Sequence, residues 1–260
     1  MSIKIAFFDI DWTLYDHKNH KWSELSLEGI KEAQRRGVKV VLCTARPFAS
    51  MKEFGVFSLG IQWNAYISSA GATAFADGKF LRKTLIAPQR VRAFLALVEK
   101  EKLTCEIVEP LTRKLAFPQT SVSQEYYACY NDVIPEVAPY LDEEVTGFNL
   151  FAHEEEDAVF QKEFPDFTFF RYASFANDVT GEPHRKGDAI DCVLDHFHFD
   201  KEEAVGFGDD LQDLSMAEHV GTFVAMNNGK EEVKAAASFV TKDVWDDGVY
   251  YGLQFLKLID

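Results

Sequence analysis

Five stations in this 260-residue sequence carry side chains suited to handling a phosphate group. They are Asp9, Asp11, Thr44, Lys186, and the run Asp209-Asp210-Leu211-Gln212-Asp213. A carboxylate can attack phosphorus and form an aspartyl-phosphate, which splits one hard hydrolysis into two easier steps. A second carboxylate can protonate the departing oxygen and later take a proton from water. Carboxylates this close raise one another's pKa unless a cation lies between them. Mg²⁺ suits that place because it takes oxygen ligands, often one or two carboxylates with phosphate oxygens. A hydroxyl and an ammonium then supply the donors and positive charge that a transferring phosphoryl group needs.

Elements of an α/β sheet must bring these stations together. Asp9 follows the apolar run Ile5-Ala6-Phe7-Phe8, Thr44 follows Val38 to Cys43, and Asp209 follows Ala204-Val205-Gly206-Phe207-Gly208. Short apolar runs of this kind read as buried strands. In open parallel sheets the carboxyl ends of the strands line the ligand crevice, so residues at three such ends can converge. Lys186 opens a predicted helix, where the macrodipole disfavours a cation, and a bound phosphate would account for that placement. Thr44 can N-cap the helix after it and still meet an anion there. Asp210 reads either as a further metal-site carboxylate or as an acid at a helix start. Arg46 reads as a support residue or salt-bridge partner.

The flanking pattern alternates strand and helix, which predicts βαβ units and a parallel sheet. Ser26 is the expected N-cap of a helix over Leu27–Arg36 that ends at Gly37. A helical stretch is expected around Pro47–Phe54, then a strand at Ala65–Ser68 and a hairpin through Asp77-Gly78. From Leu85 to Asp178 the rhythm changes. A helix beginning at Pro88 carries Val91, Phe94, Leu95 and Val98 at helical spacing. Strand-like pieces follow at Thr104–Val108, Lys114–Phe117, Phe148–Ala152 and Thr168–Tyr172, with a helix at Glu154–Glu163. The expected fold is therefore α/β: a doubly wound parallel sheet with a Rossmann-like core over residues 1–84 and 179–260, and an inserted α+β cap domain over 85–178.

The segments Asp9-Ile10-Asp11-Trp12-Thr13, Leu42-Cys43-Thr44-Ala45-Arg46, Lys186-Gly187 and Gly208-Asp209-Asp210-Leu211-Gln212-Asp213 occur in one order. In that order the chain resembles the haloacid dehalogenase-like hydrolases, most closely the Cof-like phosphatase branch with its large α/β cap. Val224-Ala225-Met226-Asn227-Asn228-Gly229 is similar to a later segment of that branch, as is Asp247-Gly248-Val249. The resemblance implies Asp9 as nucleophile and Asp11 as general acid and base. It implies a Mg²⁺ site made by Asp9, the Asp11 carbonyl, Asp209 and Asp213, the last acting through water. Thr44 and Lys186 are implied as phosphate ligands, with Arg46 and Asn228 as lesser candidates. Asn228 is also implied to orient the metal-side carboxylates, and reads equally as a turn residue before Gly229. Three positions depart from the branch: Trp12 stands where Gly is usual, Ala70 where Asn is usual, and Gln212 where Asn is usual.

The implied activity is Mg²⁺-dependent hydrolysis of a small phosphomonoester, such as a sugar phosphate. A sugar phosphomutase and a weakly active phospholigand-binding protein are the alternatives. A net charge of −15 argues against a nucleic-acid partner, which needs a basic stripe. A hydrophobic content of 47% excludes a mostly disordered chain. The four cysteines form no CxxC pair, and Cys43 and Cys192 read as buried thiols, which predicts a reducing cytoplasm. The start of the sequence shows no signal-peptide pattern, and no apolar stretch is long enough to span a bilayer. The expected partner is a small phosphorylated metabolite, and the oligomeric state is not readable.

Overall fold

The computed structural model describes residues 2–130 and 132–260. Among them, eight strands form one sheet. Its spatial order is Phe239–Val240, Thr222–Ala225, Ala204–Gly208, Ile5–Phe8, Lys39–Cys43, Ala65–Ser68, Thr73–Ala76 and Lys79–Lys83. The pairs from Phe239–Val240 through Ala65–Ser68 are all parallel. Thr73–Ala76 turns back antiparallel against Ala65–Ser68. The turn into the last strand uses Asp77 at φ 49° and Gly78 at φ 77°. Left-handed values at both central residues match the right-handed twist of a two-residue hairpin.

Strand side chains alternate between faces, and both faces of this sheet are covered. Ile5, Phe7, Val41 and Cys43 join one core with Ile190, Val193 and Leu194 of the helix Lys186–Phe197 and Met216 of Leu214–His219. On the other face Phe8 stacks on Phe207 with ring centroids 5.1 Å apart. A Cβ on Gly252 of the helix Gly248–Phe255 would lie 2.6 Å from that same Phe207 ring. A Cβ on Gly29 of Glu24–Arg35 would lie 3.0 Å from Tyr250 and 3.4 Å from Leu253, which packs these two helices together. The helix begins at Glu24 rather than after Ser26, with Ser23 at the N-cap position. Ser26 is instead buried one turn in, where its hydroxyl accepts from Ser23 Oγ at 2.7 Å and from the Tyr250 amide at 3.3 Å.

A second compact unit holds Lys83–Pro183 together with Arg46–Val56, while the first comprises the chain up to Ala45, Phe57–Arg82 and His184–Asp260. Five antiparallel strands of the second unit form a sheet ordered Thr168–Ala173, Ala176–Thr180, Gly147–Phe151, Thr104–Val108 and Arg113–Leu115. One face packs on the helices Pro88–Lys100 and Glu154–Glu163 through Val91, Phe94, Leu97, Val98 and Phe160. Leu95 lies at the margin of this cluster and Leu97 inside it. Phe94 is fully buried and stacks on Phe148 at 4.3 Å, with Phe160, Phe164 and Phe167 around it.

The short helix Phe48–Glu53 joins this unit through charge. Glu53 pairs with Arg113 at 2.5 Å, and the buried Arg113 guanidinium also meets Glu106 and Asp132, each at 3.0 Å. Tyr127, on the helix Ser121–Tyr130, donates to Glu106 at 2.6 Å. Cys43 and Cys105 are buried, Cys129 is exposed, and Cys192 is only half-buried, short of the burial expected for it. No helix among the described residues is long and apolar enough to cross a membrane.

Phe94→Ala removes a ring that anchors four aromatic side chains, so it should lower the unfolding free energy by about 3–5 kcal/mol. Urea titration should show this as a lower midpoint. An unchanged midpoint would mean that Phe94 is not central to this core.

Candidate active site

The register of the parallel sheet sets the site. Phe8 lies opposite Phe207 on one side and Leu42 on the other, so Asp9, Asp209 and Thr44 leave neighbouring strands at the same end. The Asp9 amide still donates to the Phe207 carbonyl at 3.0 Å, which extends the ladder to that residue. Asp9 is 5% exposed, Asp209 6%, Lys186 2% and Asp213 not at all.

The Lys186 ammonium donates to Asp9 Oδ1 and to Asp213 Oδ1, each at 2.6 Å. Asp213 is committed further, because its Oδ2 accepts from the backbone amides of Asp209 at 2.9 Å and Asp210 at 3.0 Å. That carboxylate therefore orders the turn that carries Asp209. The Thr13 hydroxyl donates to Asp209 Oδ1 at 2.9 Å across 196 residues of sequence. One oxygen each from Asp9, Asp209 and Asp213 lies within 4.8 Å of the others.

Small residues make this convergence possible. A Cβ on Gly208 would sit 2.5 Å from Asp213 Cγ, so only glycine lets the turn fold back over the strand. A Cβ on Gly187 would lie 2.3 Å from His219 and 2.5 Å from the Ser215 carbonyl, so glycine allows the start of the Lys186 helix to pack where it does. The Ser69–Gly71 turn leans on the same place. The Ala70 amide donates to the Thr44 carbonyl at 3.1 Å, and His184 Nε2 meets the Ser69 carbonyl at 3.1 Å.

Burial dominates the electrostatics. It pushes the Asp9 carboxyl up to about 8, with the Asp213 and Asp11 carboxylates adding to the rise and Lys186 opposing it. Burial likewise raises Asp209 well above its ordinary range, reinforced by Asp9 and Asp213 and opposed by the Thr13 hydroxyl. For Lys186, burial works against the charge, but Asp213 and Asp9 outweigh it and hold the ammonium well above its usual value. The cluster holds more negative charge than one lysine offsets, and a divalent cation would relieve the excess. Its donors are carboxylate oxygens, the chemistry that Mg²⁺ prefers.

The other anticipated residues are placed as follows. The Asp11 carboxylate meets His17 Nε2 at 2.6 Å and lies close enough to Asp9 to raise its pKa. Thr44 is fully buried at the end of its strand. Arg46 belongs to the second unit, where its guanidinium reaches Ser50 Oγ at 3.3 Å and covers the Phe54 ring at 3.9 Å. Asn228 joins two backbone segments, donating to the Trp12 carbonyl at 2.9 Å and accepting from the Val244 amide at 2.7 Å. Asp210 turns to Lys230 at 2.8 Å and to the Leu211 amide at 2.5 Å, away from the carboxylate cluster. Thr13 lies in the Asp9–Thr13 segment, and no local signal in the sequence points to its link with Asp209. His17 had no anticipated role, and its distance of six residues from Asp11 across a turn gave none away.

A family model described as haloacid dehalogenase-like hydrolase matches residues 6–253. The chain belongs to that family. It is 30% identical over the full length of both chains to YkrA of Bacillus subtilis (strain 168), which carries a phosphatase name. A crystal structure of a hypothetical protein from Geobacillus kaustophilus HTA426 superposes with a TM-score of 0.91 at 29% identity, covering 99% of this chain and 100% of that one. The sugar phosphatase BT4131, of subclass IIB of the family, superposes at 0.83 with 29% identity, covering 98% and 100%. The protein is a phosphatase of the Cof-like branch, with a Rossmann-like core and a cap.

The raised carboxyl at Asp9 fixes a pH dependence for the metal-free protein. The folded state holds a proton there that the unfolded chain releases near 3.8, so this contribution to stability is present below about pH 4 and lost towards about pH 8. Thermal unfolding in chelator should therefore give a Tm that falls across this window, and Asp9→Asn should flatten the fall. Added Mg²⁺ should raise Tm more at pH 8 than at pH 5. Equal slopes for wild type and Asp9→Asn would sink the assignment.

Proposed function

We propose that the protein hydrolyses a small phosphomonoester, a sugar phosphate or similar metabolite, through an aspartyl-phosphate at Asp9 with the help of Mg²⁺. The observation that carries this reading is the meeting of Asp9, Asp209, Asp213 and Lys186 at one end of the parallel sheet, in a buried place short of positive charge. Asp9 is the nucleophile. Its oxygen forms a bond to phosphorus as the ester oxygen departs. Asp11, two residues on, protonates that oxygen and then takes a proton from the water that cleaves the aspartyl-phosphate.

Lys186 holds the Asp9 carboxylate in line and sets an ammonium beside the phosphoryl oxygens. The Thr44 hydroxyl binds the phosphoryl group from the adjacent strand, with Asn228 in a lesser supporting role. Asp9, the Asp11 carbonyl and Asp209 would hold the cation, with Asp213 acting through water. When bound, Mg²⁺ supplies positive charge against the phosphoryl oxygens. The sugar-phosphatase name of BT4131 supports the choice of sugar phosphates. Four free cysteines suit the reducing cytoplasm, where we place the protein.

A phosphate-release screen over sugar and polyol phosphates with Mg²⁺ tests this reading. Asp9→Asn should lower kcat by three or more orders of magnitude, since it removes the attacking group. Lys186→Met should lose about 10²–10³-fold, and chelator should abolish turnover in the wild type. Full activity in Asp9→Asn would rule out the nucleophile, and turnover untouched by chelator would rule out the cation.

A further inference from the structure

The segment after Asp9 folds into a tight device. The amides of Thr13, Leu14 and Tyr15 all point to the Ile10 carbonyl, at 3.3, 2.8 and 2.9 Å, and the Trp12 amide returns to the Tyr15 carbonyl at 2.9 Å. A two-stranded hairpin follows, Tyr15–Asp16 against Lys21–Trp22. Its turn is fixed by buried Asp16, which accepts from the Lys18 amide at 2.9 Å, the Asn19 amide at 3.1 Å and Asn19 Nδ2 at 2.5 Å.

His17 sits on this hairpin with Nε2 2.6 Å from Asp11 Oδ1. Rings hold the imidazole on two sides. The Trp12 ring lies 5.3 Å away, and the Tyr15 ring meets it edge-on at 4.9 Å. Tyr15 in turn packs edge-on against Trp22 at 5.1 Å. Trp12 occupies the left-handed region at φ 61° and keeps 39% of its surface exposed. A residue with a Cβ is disfavoured there by roughly 1–2 kcal/mol, and glycine would avoid that strain. What tryptophan adds in return is a ring against His17, beside the carboxyl on which proton transfer depends.

We propose that His17 is a positioning residue for Asp11, with Trp12 and Tyr15 as its supports. This rests on the acid and base role given to Asp11 above. In the first step the bond from phosphorus to the ester oxygen breaks as the Asp9 oxygen bonds to phosphorus, and the Asp11 proton passes to the departing oxygen. In the second step water bonds to phosphorus and gives a proton to Asp11, while the bond from phosphorus to the Asp9 oxygen breaks, freeing the carboxylate and releasing inorganic phosphate. His17 keeps its hydrogen bond through both steps and holds the carboxyl in one orientation, so that the proton is delivered where the leaving oxygen develops charge.

Leaving-group dependence separates this role from a structural one. An alkoxide needs the proton to depart, whereas p-nitrophenolate leaves without it. The measurement is kcat/KM, which ends at leaving-group departure, for p-nitrophenyl phosphate and for whichever sugar phosphate the wild type turns over. His17→Ala should lower the value for the sugar phosphate by about 10–100-fold and leave that for the aryl ester within about threefold. His17→Gln, whose amide can donate to the same carboxylate, should recover most of the loss. Trp12→Gly relieves the backbone and should unfold no more easily, yet lose the same selective rate. Equal losses on both esters, or none on either, would overturn the role of His17 while leaving the chemistry at Asp9 intact. Turnover of both esters that survives Asp9→Asn would overturn the parent reading and this one with it.

Discussion

One buried ammonium between two buried carboxylates organises this protein. Lys186 reaches Asp9 and Asp213 at 2.6 Å each, and Asp209 lies close by. Removing such charges from water is expensive unless they are paired and hydrogen-bonded. Here the pairing is incomplete by charge: burial raises the pKa of both Asp9 and Asp209, and the neighbouring carboxylates add to the rise. A scaffold built for stability alone would have no reason to keep that imbalance. Strongly perturbed carboxyls beside a specific lysine are what a site for a cation and an anion would show.

Much of the surrounding structure serves that convergence. Gly208 lets Asp213 fold over the strand, and Gly187 lets the Lys186 helix press on its neighbour. Asp213 spends both oxygens on order: one on Lys186 and one on the amides of Asp209 and Asp210. At the same end of the sheet Trp12, Ser69 and Ala70 are all at positive φ without being glycine. Strain of this kind persists only where packing over-determines the conformation, and it concentrates at functional sites.

The second unit solves a different problem. Its sheet has one face on two helices with a phenylalanine cluster, and across the other runs an ion network centred on Arg113. Burial pushes Glu106 up, while Arg113 and the Tyr127 hydroxyl counter it. The reach of Glu53 into this network binds the segment just beyond Thr44 into the second unit. The pairing of Glu53 with Arg113 spans 60 residues of sequence and leaves no local pattern.

The sequence by itself determined the strands that end at Phe8, Cys43 and Gly208, because short apolar runs and their periodicity are local properties. It likewise marked the helix at Glu154–Glu163 and the turn at Asp77-Gly78. It did not reveal the Tyr15–Trp22 hairpin, whose strands are two residues long, or the helix Ser121–Tyr130, whose tyrosines lack a clear apolar stripe. Only the tertiary structure decided that Thr13 holds Asp209, that His17 holds Asp11, and that Asn228 joins two stretches of backbone. Side-chain partners at such separations are chosen by strand register and by how closely helices can approach. Those are properties of the packed molecule, to which each residue contributes but which no short stretch of sequence contains.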